Sequence, residues 1–142
     1  MADPVNTEKL PSAEDLAGIT QASQDYIEGW YFADAKRMQR CLHPDLVKRT
    51  LIHDEKEDTW RLRQPTTMAR MVEHTREGGG SWIPEPERTY EITILDVFRH
   101  IATVKIHSRH MVDYLHVVKL GGRWQIANVL WEVREGEIND TQ

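Results

Sequence analysis

The chain has 142 residues, 39 % of them hydrophobic and 29 % charged, the size and balance of one folded domain; a disordered tail and a barrel of eight strand–helix units are excluded. Lys and Arg total 18 against 23 Asp and Glu, a net charge of −5, so nucleic acid is not an expected partner. The single cysteine, Cys41, excludes an intrachain disulfide and a cysteine-based zinc site. No apolar run approaches a membrane span, and Met1–Leu10 lacks the basic and apolar stretches of a secretory signal, so a cytoplasmic protein with no membrane partner is expected.

The polar segment 1–11, with Pro4 and Pro11, reads as a loose arm. Ser12 is positioned to cap a helix, with Asp15 three residues on. Leu16, Ile19, Ala22, Tyr26, Ile27 and Trp30 recur at steps of three and four and predict a helix to about Phe32. Asp34 caps a second, short helix with Ala35, Met38, Cys41 and Leu42 inward, ended by Pro44. Residues 46–53 are β-branched enough for a strand, and 59–63 pair with it across the charged run Asp54–Asp58. Pro65 and Thr66 open a third helix with the stripe Met68, Met71, Val72 and Thr75, which Gly78-Gly79-Gly80 stops. Four strands follow: 88–98, 101–108, 110–120 and 123–134, the first two joined by Arg99-His100 and the last two by a Gly121-Gly122 hairpin turn. Helices first and long antiparallel strands last argue an α+β domain over 12–136, followed by a tail over 137–142. Twist and bulges curl such a sheet into a half-barrel around the helices, with a concave pocket at its open end.

Several stretches carry a family resemblance: Tyr26-Ile27-Glu28-Gly29-Trp30-Tyr31 with Asp34, then Leu42-His43-Pro44-Asp45-Leu46, then Asp113-Tyr114-Leu115-His116, and finally the run Gly121-Gly122-Arg123-Trp124-Gln125-Ile126-Ala127-Asn128-Val129-Leu130-Trp131. Over about residues 15–134 the chain resembles the nuclear transport factor 2-like superfamily, and within it the lumazine-binding branch, related to polyketide cyclase-like and ketosteroid isomerase-like domains. The resemblance implies a cone-shaped α+β half-barrel and a homodimer formed through the outer sheet face. It leaves function open, because the superfamily holds isomerases, cyclases, dehydratases, epoxide hydrolases, transport adaptors and catalytically silent binding modules.

Asp113 and His116 are the candidate catalytic pair, as a buried carboxylate and a histidine able to move a proton. On a regular strand Asp113 shares a face with Leu115, whereas His116 shares one with Tyr114, so the pair meets only past a bulge; the competing reading is a cross-strand hydrogen bond or a dimer contact. Tyr26, Trp30 and Trp60 are expected to line the pocket mouth as a stacking wall, against the alternative of core packing. His43 fits a helix-end cap or the pocket rim. Asn128, on the Trp124 face, is a pocket hydrogen-bonding group or a satisfied structural amide. Tyr114 is a further candidate to polarise a ligand carbonyl, and Trp131, of opposite parity to Trp124, faces the pocket past a bulge or a partner subunit. Seven histidines show no metal-ligand spacing, and no phosphate-cradling loop is present, so no metal or cofactor is expected. Three functions fit: a small-molecule binding domain for a flat, partly polar ligand, a cofactor-independent proton-transfer enzyme (isomerase, dehydratase or cyclase), or a dimerisation module.

Overall fold

A computed structural model describes residues 10–134. The arm expected over 1–11, apart from its last two residues, and the tail over 137–142 lie outside the described residues. Ser12 caps α1 (Ala13–Tyr31) by accepting the Asp15 amide at 3.0 Å, and the helix buries Ile19, Ala22, Tyr26 and Ile27. Asp34 caps α2 (Ala35–Cys41) through the Arg37 amide at 3.1 Å. No loop follows. Leu42 turns extended and the chain enters β1 (Leu42–Asp54) at once, so Pro44 lies inside a strand and is not the helix stop. β2 (Thr59–Leu62) pairs antiparallel with the far end of β1. The cap of α3 (Met68–Arg76) is Thr67, one residue after the expected Thr66. Thr66 is taken by β1 instead, exchanging backbone hydrogen bonds with Lys48 at 2.8 and 3.1 Å.

β3 (Tyr90–Phe98), β4 (Ile101–Ser108), β5 (Met111–Leu120) and β6 (Arg123–Val133) complete a six-stranded sheet in the order β2-β1-β6-β5-β4-β3. Four of its five pairings are antiparallel; β1 and β6 run parallel, so the sheet is mixed. The sheet does not close. It curves as a half-barrel around the helices, and α1 packs against β3, β4 and β6. A bulge at Ala127 decides which side chains of β6 face inward: Val117 pairs with Ile126, but His116 pairs with Asn128. Before the bulge Trp124 and Ile126 are buried, and after it Val129 and Trp131 are. Asn128 therefore does not share the face of Trp124; it lies on the outer surface.

A charged staple ties α1 to α2. Asp25 is 2 % exposed and accepts from Arg37 Nε at 3.0 Å, Arg40 Nη2 at 2.8 Å and Gln21 Nε2 at 3.0 Å. Burial pushes its carboxyl up, but the hydrogen bonds from Arg40, Arg37 and Gln21 outweigh this and hold it below the ordinary carboxylate range. Asp25→Ala is expected to cost about 2 kcal/mol at neutral pH, the scale of hydrogen bonds to charged groups. A depressed carboxylate stabilises above its unfolded pKa, and that contribution is lost as pH falls through the folded value. Urea melts across the acid range are expected to show a shallower acid-side loss in the variant than in the parent.

Candidate functional site

β5 alternates regularly, with Met111, Asp113, Leu115 and Val117 turned to the helices. An aspartate on that face is removed from water, and α1 answers it. Tyr26 donates its hydroxyl proton to Asp113 Oδ2 at 3.0 Å. β1 supplies the third member. Leu46, Lys48 and Thr50 share the buried face of that strand, and Lys48 Nζ donates to Tyr26 Oη at 2.7 Å. Three elements thus bring a carboxylate, a phenol and an amine into one buried line.

Aromatic rings enclose the amine: Lys48 Nζ lies 5.1 Å from the ring centre of Tyr26, 5.6 Å from Trp30 and 5.7 Å from Trp131. Met71 Sδ of α3 is 3.5 Å away. Burial lowers the amine to about 8, partly opposed by the charge of Asp113 and reinforced by Arg63. Burial also pushes the Asp113 carboxyl up from its usual value, against the pull of Lys48 and the Tyr26 hydroxyl. The Tyr26 phenol is raised well above its ordinary value by burial first and by Asp113 second, so it stays protonated. Trp131 adds an unusual donor. Its indole N–H is buried with no hydrogen-bond partner among the described residues, a condition that costs free energy unless an acceptor meets it.

Trp30 reaches from this line towards the surface. With His74, Glu77, Ser81 and Trp82 it lines an open cleft of about 440 Å³ where α3 ends. The glycine run seats it. Gly80 donates its amide to the Trp30 carbonyl at 2.8 Å, and a methyl group on Gly80 would lie 2.7 Å from Trp30 Cδ1. Gly80→Ala is expected to displace the indole at a cost of about 1–3 kcal/mol. The loss is measurable as a lower thermal midpoint with altered tryptophan emission.

The other expected site residues lie elsewhere. His116 and Asn128 face each other on the outer sheet surface, their side chains 3.4 Å apart. The Ala127 bulge on β6 leaves β5 regular, so Asp113 and His116 point to opposite faces and do not meet. Tyr114 is on the outer face, 45 % exposed. Trp60, on edge strand β2, is 60 % exposed and stacks on His53, not at the mouth. His43 sits at the start of β1, where Nδ1 accepts the Asp45 amide at 3.0 Å; it caps that turn rather than helix carbonyls. Lys48 and Trp82 are site residues that the sequence does not mark as such. The one available sign for Lys48 was its parity with Leu46 in a strand that buries that face.

The family described as "Putative lumazine-binding" matches residues 14–132. The chain belongs to this family. Solved structures agree on the nuclear transport factor 2-like fold of this lumazine-binding family member. An NTF-2 like protein of unknown function from Silicibacter pomeroyi superposes with a TM-score of 0.68 at 16 % identity, over 88 % of this chain and 100 % of that one. An NTF2-like protein of unknown function from Methylobacillus flagellatus gives 0.64 at 19 % identity, over 87 % and 95 %. A ketosteroid isomerase-like protein from Erwinia carotovora atroseptica gives 0.56 at 15 %, over 86 % and 98 %. No match was found among curated proteins. At these identities the likeness concerns the fold, and the chemistry of this lumazine-binding family member has to be argued from its own residues.

Proposed function

We propose that the chain is a small-molecule binding domain whose ligand is flat and partly polar, held where Trp30 and Trp131 enclose Lys48. The buried, unpartnered indole N–H of Trp131 carries this reading. A ligand acceptor atom would satisfy that donor, while the rings of Trp30 and Tyr26 offer stacking surface and Lys48 an ammonium. Of the residues expected from sequence, Tyr26, Trp30, Asp113 and Trp131 belong to this proposed site. Titration with lumazine and a panel of other fused-ring heterocycles, followed by thermal shift and tryptophan quenching, tests it. A true ligand at about 100 times its Kd raises the unfolding free energy by about 2.7 kcal/mol. Trp131→Phe keeps most of the ring area and loses the donor, so affinity is expected to fall about ten-fold, one hydrogen bond's worth. A panel without any shift sinks the reading.

The Asp113–Tyr26–Lys48 line supports a second reading, cofactor-independent proton transfer. A carboxyl raised from its usual value and an amine lowered to about 8 flank one phenolic proton, the condition under which general acid–base chemistry works near neutrality. Asp113→Asn that leaves turnover intact on a substrate found by binding would remove it.

We further propose that two copies pair through the outer sheet face. Leu51, Leu62, Tyr114 and Leu130 line an apolar recess of about 380 Å³ there, and Leu62, Tyr114 and Leu130 are each about half exposed. Sedimentation of Leu130→Glu is expected to show monomers where the parent shows dimers. A monomeric parent ends this proposal.

A further inference from the structure

We propose that Lys48 is a carbonyl-capturing nucleophile: its amine forms an imine with an aldehyde or ketone presented on an aromatic body. This rests on the ligand-binding reading above and assigns a substrate class to the same site. Three observations point to it. Lys48 is buried on the concave face of β1, with Nζ 5.1 to 5.7 Å from the ring centres of Tyr26, Trp30 and Trp131, and its removal from water favours the neutral, nucleophilic amine. A hydroxyl lies 2.7 Å from that nitrogen and is itself bonded to a carboxylate, so a proton has a path off the amine and back to the leaving oxygen. Backbone hydrogen bonds to Thr66 on one side and β6 on the other hold the residue in place.

The step balances without an oxidant or reductant. The ammonium proton passes through the Tyr26 hydroxyl to the Asp113 carboxylate. The freed amine attacks the carbonyl carbon; a C–N bond forms and the C=O π pair moves to oxygen. A proton shifts from nitrogen to that oxygen, giving a neutral carbinolamine. Asp113 then returns its proton through Tyr26 to the hydroxyl, which leaves as water while the nitrogen lone pair closes the C=N bond. The protonated imine and the restored carboxylate carry the same net charge as the starting pair.

Reductive trapping tests the proposal. The full chain is incubated with 2-naphthaldehyde and cyanoborohydride, and adducts are located by intact mass and peptide mapping. Lys48 is expected to be labelled about ten-fold or more faster than the exposed Lys36 and Lys56, with labelling half-maximal near pH 8, where its amine loses its proton. Lys48→Met and Lys48→Arg are each expected to lose the preferred adduct, the second keeping the positive charge. Tyr26→Phe, which keeps the ring and removes the proton path, is expected to slow labelling at Lys48 about ten-fold or more. Tryptophan quenching by the aldehyde without reductant separates binding from chemistry. Quenching with no preferred adduct at Lys48 overturns the nucleophile and leaves the binding reading standing. Adducts distributed by exposure, with no quenching, overturn both.

Discussion

Asp113→Ala is expected to destabilise the protein by about 3 kcal/mol at neutral pH, because it strips a buried cation of its countercharge. Lys48 is buried, and Tyr26 Oη offers it an acceptor but no charge. Without Asp113 the amine has to shed its proton to stay buried, so the penalty grows as pH falls and shrinks as pH rises. The double variant Asp113→Leu with Lys48→Met removes both charges and keeps the volume. It is expected to recover most of the loss, since buried ion pairs often exchange for apolar packing at little net cost. Urea melts of Asp113→Leu, Lys48→Met and the double variant close the cycle. A strictly additive result would mean that Asp113 and Lys48 do not interact.

Stability is also expected to climb on the alkaline side, between about pH 8 and pH 9. In the folded chain Lys48 loses its proton near 8, against 10.5 as its ordinary value. Over that interval the unfolded state binds more protons than the folded one, so the unfolding free energy rises with pH. Each pH unit of that climb is worth up to about 1.4 kcal/mol, so the gain is about 1 kcal/mol. Cys41 closes the window from above and Tyr26 steepens the decline: burial keeps the thiol and the phenol protonated in the fold, whereas once unfolded they ionise near 9 and near 10, so further alkali favours unfolding. Lys48→Met is expected to flatten the climb while leaving the downturn. Denaturant melts at half-unit pH steps check both limbs, and a parent curve that falls steadily from neutrality would contradict the assignment.

Local signals carried much of the fold into the sequence. Ser12 and Asp34 each precede a helix by one residue and each accept the amide three positions on, as short polar caps should. Gly121 and Gly122 both take positive φ, and the hairpin turns there. Long-range choices were not legible. Nothing in the composition of β1 marks it as the parallel partner of β6, because pairing direction is set by how the whole sheet closes over α1. The Ala127 bulge was also silent. One unpaired alanine reverses the facing of every later residue in β6, which carries Trp131 inward and Asn128 outward. The site was legible in part for the same reason. Asp113, Tyr26 and Trp30 could be read from strand and helix periodicity. Lys48 is not legible because a lysine in a strand ordinarily reads as a solvated side chain, and only its partners on α1 and β5 show otherwise.

The parallel seam between β1 and β6 governs the order in which the chain can acquire its structure. Thr50 meets Trp131, and Val47 meets Asn128, so each contact closes a loop of about eighty residues, and its entropic cost has to be met before the contact gives anything back. The hairpins β3–β4, β4–β5 and β5–β6 can form locally, whereas β1 has no inner neighbour until the final strand is made. During synthesis the amino-terminal half, Lys48 included, therefore waits with an unpaired strand edge. Slow refolding that ends with burial of the Trp131 indole, and aggregation of chains truncated before β6, are what this topology entails.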